Sequence, residues 1–304
     1  MVRDLFKLLG AVPPGPRKIL ARWLGLTAYA LDRKHRQIVR DNLNRVFGRE
    51  KDPARITRLA RQTFVHFSLV VFEIGWLSRI TPEHFSRHCR VEGAEHYRRA
   101  LARNRGVLAL TGHMGNWELL PVAAGNLVDR PGFVYRPMDS PVLDRFFINQ
   151  RTRMGAVMIS SARAMRPLLR LLHDKGTVVV LPDQSSNRFE GVFVDFFGQV
   201  TCTNKGLALM ALKTGAPVVP IFLVREKDHF LLKFFPALPL IKTGDKTRDV
   251  EENTRQYNLI LEKTIRQYPE QWFWMHRRWK TPTYCLIADR PEKFKSKGAT
   301  ATGK

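Results

Sequence analysis

Two kinds of hydrophobic spacing divide the chain. Over the first 80 residues apolar positions recur every three to four residues, as in Ile19, Leu20, Trp23, Leu24, Leu26, Tyr29 and Leu31 among Arg17, Lys18, Arg22, Arg33, Lys34 and Arg36. That spacing predicts a basic amphipathic helix from Pro16 to Phe47. A second helix is predicted from Pro53 to Ile80, where Ile56, Leu59, Phe64, Phe67, Val71, Phe72, Trp76 and Leu77 place an apolar side chain at nearly every turn; Thr81-Pro82 ends it. The second helix reads as core. The first reads either as an ordinary packed helix or as one lying on a membrane surface, which basic residues with Trp and Tyr suit. Nucleic-acid contact is a third possibility.

Past His84 the spacing changes, and short β-branched runs alternate with helical stretches. This is the pattern of an α/β fold with a mostly parallel central sheet flanked by helices. Strands are predicted over 106–111, 132–135, 156–159, 177–181, 217–223 and 229–234. Helices are predicted over 116–126, 141–154, 164–173, 251–268 and 204–214, the last capped by Asn204. Without internal repeat or linker, one domain is expected. Its N-terminal helical segment spans 1–80 and its α/β core 81–288; the Lys-, Gly-, Ala- and Thr-containing tail 289–304 is expected to be unstructured.

Composition narrows the function. Hydrophobic residues make up 44% of the 304, enough for a sizeable core. Against 27 acidic residues stand 51 Lys plus Arg, a net charge of +24, and the first 61 residues alone hold 15 basic side chains and 5 acidic ones. An anionic neighbour is implied. The longest stretch free of ionised side chains, Gly106 to Trp117, has twelve residues, where a spanning helix needs about twenty. Asp4, Pro13, Pro14 and Pro16 interrupt the N-terminus, which argues against a cleaved signal peptide. Three scattered cysteines, Cys89, Cys202 and Cys285, offer neither a disulfide framework nor a CxxC metal site and fit a reducing compartment. Neither a cofactor nor a metal is expected.

The most informative segment is GVLALTGHMGNWELL, residues 106–120, an apolar strand entering a turn with Gly112, His113 and Gly115 and then a helix. The carboxyl end of such a strand is where α/β sheets build sites. His113 and Glu118 lie five residues apart, so a bend can bring them together as a general-base dyad, the carboxylate fixing the tautomer while the other ring nitrogen takes a hydroxyl proton. Read alone, the pair is also compatible with a packed histidine beside a helix-N-terminal Glu, or with two metal ligands lacking others. The two glycines allow close substrate approach. With neither a GxSxG elbow nor a Cys-His pairing in the chain, direct attack without a covalent intermediate fits.

GHMGNWE (112–118), VYRPMDSPVLDRFFINQRTR (134–153), LPDQSS (181–186), FVDFFG (193–198) and PEQWFWMHRRWKT (269–281) together resemble the late acyltransferases of lipid A biosynthesis, within the wider HxxxxD/E glycerolipid acyltransferases. The resemblance implies a glycerolipid acyltransferase-like fold. It also implies fatty acyl transfer from acyl carrier protein, or coenzyme A, to a hydroxyl of a lipid A precursor at the cytoplasmic face of the inner membrane; attachment there is expected to be peripheral, because charged residues interrupt the N-terminal segment that anchors typical members. On matching positions it makes His113 the base and Glu118 its orienting acid, and gives functional roles to Arg151 and Asp183. Arg151 would hold a phosphate or the oxyanion, Asp183 would fix that arginine, and Arg136 and Arg153 could share the substrate contact. Two features depart from the family pattern: Lys7, Arg17, Lys18 and Arg22 interrupt the apolar N-terminal segment, and Ser185 follows Pro-Asp-Gln where an acidic residue is frequent.

WFWMHRRWK, 272–280, alternates aromatic and basic residues, which suits an interface or a buried strand with a basic outer face. His276 within it is assigned a structural place. Two other functions are weighed against the lipid A reading. An acyltransferase acting on a lysophospholipid or another glycophospholipid would share the site, but the Pro-Glu-Gly-Thr block usual in lysophosphatidate enzymes is absent. A basic nucleic-acid-binding protein would explain the charge but not residues 106–120, so no nucleic-acid partner is expected.

Overall fold

Strands that are buried on both faces belong inside a parallel sheet, and the chain builds its sheet around three of them, over Val107–Leu110, Thr177–Val180 and Val218–Glu226. In the computed structural model, which describes residues 2–280 except 78, 126, 129, 154, 162 and 163, the strands in chain order are β1 (Cys89–Glu92), β2 (Val107–Leu110), β3 (Pro131–Tyr135), β4 (Val157–Ser160), β5 (Thr177–Val180), β6 (Gly191–Phe196), β7 (Gln199–Asn204), β8 (Val218–Glu226) and β9 (His229–Phe234). Seven of these form one sheet in the order β1-β9-β8-β2-β5-β3-β4, parallel throughout except where β8 meets β9, and β6 and β7 form a separate antiparallel hairpin. The expected mostly parallel sheet is thus present. The six predicted strands are all found. Unpredicted β1 is a four-residue edge strand with little burial, and in the unpredicted β6-β7 hairpin the second strand, Gln-Val-Thr-Cys-Thr-Asn, is mostly polar.

The helices are α1 (Val2–Ala11), α2 (Pro14–Leu31), α3 (Arg33–Phe47), α4 (Pro53–Trp76), α5 (Pro82–Ser86), α6 (Ala94–Leu101), α7 (Leu120–Ala124), α8 (Pro141–Thr152), α9 (Met165–His173), α10 (Gly206–Thr214) and α11 (Lys246–Gln267). Alternate strand residues feed two cores on opposite faces of the sheet. Leu108, Leu110, Val178, Val218 and Phe222 pack with α3, α4 and α11 on one face, while Val107, Ala109, Val179, Val219 and Ile221 pack with α5, α6 and α7 on the other. The end of α4 also reaches the second core, through Val70 and Ile74.

Several expectations are corrected. The helix predicted from Pro16 to Phe47 is two, because the Asp32 carboxylate accepts from the His35 N–H and starts α3 anew. Asn204 ends β7 instead of occupying the cap position of α10; its side chain accepts from the Gly206 N–H, 2.8 Å away. The 272–280 segment forms no strand, its regular pairing being limited to one bridge between Trp272 and Met114. The tail predicted to be unstructured from Asp289, like Cys285, lies outside the described residues. Both α1 and α2 lie close against α4: a Cβ at Gly10 would stand 2.3 Å from the Gly75 carbonyl, and one at Gly25 2.5 Å from the Val65 Cα.

Candidate active site

Register alone brings two distant residues together. β2 pairs with β5 in parallel, Leu110 opposite Val180, so three residues beyond the strand ends stand His113 and Asp183. The His113 backbone N–H donates to Asp183 Oδ2 at 2.8 Å, and His113 Nδ1 lies 2.9 Å from Asp183 Oδ1. Asp183 is completely buried, whereas the His113 side chain keeps 25% of its exposure. Gly115 makes the turn possible, with φ of +58° and a Leu223 carbonyl oxygen 1.9 Å from where a Cβ would be.

The C-terminal segment closes over this turn. The Gly115 N–H donates to the Gln271 carbonyl at 3.0 Å and the Phe273 N–H to the His113 carbonyl at 2.9 Å. Trp272 adds its indole N–H to Asp183 Oδ2 at 2.8 Å. Trp117 and Phe273 wall the imidazole, with ring centroids 5.4 and 6.4 Å away.

Glu118 does not orient His113, as the five-residue spacing led one to expect. It sits in a 3-10 turn over Trp117–Leu119 started by Asn116, and its carboxylate is taken by Arg151 of α8. Arg151 donates from Nη2 to both Glu118 oxygens at 2.7 and 2.8 Å and from Nε to Oε2 at 3.0 Å. Arg151 Nη1 takes no part in these bonds. The expected Asp183–arginine pair is likewise replaced, since Asp183 spends its hydrogen bonds on His113 and Trp272. Arg153 does not reach the site: it donates to the carbonyls of Leu77 and Ile80. Arg136 is exposed and lines the cavity mouth.

A chain of buried polar groups supports Glu118 from below. Asn116 accepts from the Leu119 N–H through Oδ1 and donates through Nδ2 to Glu73 of α4 at 2.9 Å, and Arg225 of β8 donates to Glu73. Sequence reasoning missed Glu73, Arg225 and Trp272 because the helical and strand patterns that contain them carry no sign of which polar position turns inward. The one available signal was the density of indoles in 272–280.

Burial pulls the His113 pKa down, but the charge and hydrogen bond of Asp183, helped by the charge of Glu118, outweigh it and leave the imidazole above its ordinary value. For Asp183 burial acts upward and is overcome by His113 and by the Trp272 hydrogen bond, so its carboxyl titrates below the usual range. Burial pushes His276 down to about 4. His113, Glu118 and Arg151 face a cavity of about 1140 Å³ whose walls include Phe133, Phe147, Leu168, Leu207 and Met210. Such a space is large enough for an acyl chain with part of its acceptor. No group of three or more metal-ligating side chains occurs among the described residues.

A sequence model of bacterial lipid A biosynthesis acyltransferases matches residues 2–281, nearly the whole chain. The chain belongs to that family. It is therefore an enzyme of acyl transfer, as the sequence motifs implied. Among relatives, a lipid A biosynthesis acyltransferase of Haemophilus influenzae is 26% identical over 88% of this chain and 83% of its own length. The lipid A biosynthesis lauroyltransferase of Escherichia coli is 27% identical over 85% and 83%, and a phosphatidylinositol mannoside acyltransferase of Mycolicibacterium smegmatis is 26% identical over 79% and 78%. Among solved structures, the 1-acyl-sn-glycerophosphate acyltransferase of Thermotoga maritima aligns with 82% of this chain and 98% of its own at 14% identity and a TM-score of 0.37, a likeness too distant to carry an argument.

Proposed function

We propose that the enzyme moves a fatty acyl chain from the thioester of an acyl carrier protein to a hydroxyl of a lipid A precursor, with His113 as general base and Asp183 as its orienting acid. The observation that carries this reading is the half-open imidazole at the cavity, its Nδ1 held by a buried carboxylate and its Nε2 left for substrate. With Nδ1–H donated to Asp183, the neutral ring presents an unprotonated Nε2 to the acceptor hydroxyl. As that oxygen attacks the thioester carbonyl, its proton passes to Nε2. The tetrahedral intermediate collapses by breaking the C–S bond, and the imidazolium returns the proton to the departing thiolate. Among the described residues no serine, threonine or cysteine hydrogen-bonds His113, which supports direct attack over an acyl-enzyme.

Glu118 has a different role in this reading: it holds Arg151 by two parallel donors, so that the guanidinium presents a fixed face to the anionic part of the acceptor, with Arg136 at the mouth. Attachment is peripheral, at the cytoplasmic face of the inner membrane. No helix of the described residues is long and apolar enough to cross a bilayer, yet Leu8, Ile19, Trp23 and Leu31 of α1 and α2 are all 60% or more exposed among the basic residues of that segment.

The similarity to a phosphatidylinositol mannoside acyltransferase keeps a glycophospholipid acceptor as the second reading. Mass spectrometry of lipids from a deletion strain separates the two. Loss of one secondary acyl chain from lipid A, restored by the wild-type gene and not by His113→Ala, is expected; intact lipid A with an altered glycophospholipid would move the acceptor to the second class.

A further inference from the structure

Trp272 belongs to a run of aromatic and basic residues that the catalytic reading leaves unused, and it is one of the largest fully buried side chains of the protein. Packing alone does not account for an indole there. Its ring is fixed by Trp274 at 4.6 Å, Phe196 at 5.7 Å and Trp279 at 6.3 Å between centroids. Held in this way, its only donor points at the most deeply buried carboxylate of the site, Asp183 Oδ2, 2.8 Å away. The same oxygen receives the His113 backbone N–H, so Oδ2 is occupied by two donors and Oδ1 is turned to the imidazole.

We propose that Trp272 is a positioning residue for the reaction, a third member of a His113–Asp183–Trp272 chain that sets the rotation of the carboxylate and moderates its basicity. The inference rests on His113 being the general base held by Asp183. The groups facing His113 are Asp183 after β5, Glu118 of the 3-10 turn and Arg151 of α8; Arg278 and His276 of the C-terminal segment act on Asp183, and His276 on His113. None of these is altered by a change from indole to phenyl. A carboxylate that loses a donor becomes the stronger base and holds the imidazolium proton more tightly. Removing the indole N–H should therefore move the acid limb of the rate profile to higher pH. Neutralising Asp183 removes the main attraction for that proton and should move the limb the opposite way.

The experiment compares kcat/KM against pH for the full-length wild type, Trp272→Phe and Asp183→Asn, with an acyl carrier protein thioester as donor. For Trp272→Phe the acid limb is expected to rise by roughly half to one pH unit, about a three- to tenfold loss of rate on that limb for a single proton. Thermal melting checks that the variant is folded. Should phenylalanine unfold it, 3-benzothienylalanine at 272 keeps the bicyclic shape without the N–H, and the same shift is expected. An unmoved limb in the folded Trp272 variant, alongside a lowered one in Asp183→Asn, would reduce Trp272 to packing and overturn the inference while leaving the base assignment intact. A limb that moves in neither variant would remove the His113–Asp183 pairing itself, and the Trp272 role with it.

Discussion

At the scale of single residues, the site holds two carboxylates with separate partners, and this predicts two different kinetic phenotypes. Asp183 touches the imidazole proposed as the general base, so Asp183→Asn should lower kcat by on the order of 10²-fold or more while the enzyme still binds acceptor. Because the His113 pKa is held above its ordinary value largely by Asp183, and the base acts when unprotonated, activity in the wild type should fall as pH drops through that raised value. Glu118→Gln leaves the histidine pair in place and removes the charge and the second acceptor oxygen that Arg151 holds. That variant should raise the acceptor KM by roughly tenfold, the worth of one charge-assisted contact, and move the acid limb only slightly, to lower pH, because the Glu118 charge supports the His113 proton less than Asp183 does. Steady-state profiles over acceptor concentration and pH separate the two. Equal phenotypes for the two variants would mean that the carboxylates act as one unit.

At the scale of elements, the turn that carries His113 is held by parts that come from far along the chain. β2 and β5 provide the register, α4 and β8 provide Glu73 and Arg225, and the C-terminal segment provides the backbone clamp on Gly115 and His113. The Glu73–Arg225 pair is nearly dry, with side chains 4% and 14% exposed. Removing one charge strands the other, which typically costs about 3–5 kcal/mol. Glu73→Ala should lower urea stability by that order, and it should also loosen the 3-10 turn through Asn116. A variant within about 0.5 kcal/mol of wild type would show that water reaches Arg225 and that the pair is dispensable. The helices obey local rules more closely: Pro at the first turn and Asp52 or Ser140 as caps set the starts of α4 and α8 near where the pattern put them.

At the scale of the whole molecule, the N-terminal helices present two unlike faces. Their inner faces are tied in: Phe6 stacks on Phe146 of α8 at 4.8 Å, and Arg17 is buried with its guanidinium over Trp76. Their outer faces expose Leu8, Ile19, Trp23 and Leu31. Sedimentation with vesicles should therefore show binding that is stronger on anionic than on neutral lipid and weaker with salt, since each basic residue near a charged surface contributes on the order of 1 kcal/mol; Trp23→Ser should weaken it on both lipids. Equal, salt-insensitive recovery would leave a purely apolar contact. What the sequence by itself determined was what local spacing can carry: the change from helical to strand periodicity near residue 84, six of the seven strands of the main sheet and the main helices, and His113, Glu118, Arg151 and Asp183 as the residues to watch. Which of these four touch was decided only by tertiary structure. Glu118 is five residues from His113 and Asp183 is seventy away, yet the in-register pairing of β2 with β5 gives the histidine to Asp183, and the 3-10 turn swings Glu118 to Arg151. Local periodicity says which side chains turn inward; partners across a parallel sheet follow from strand order and register, which are set by long-range packing.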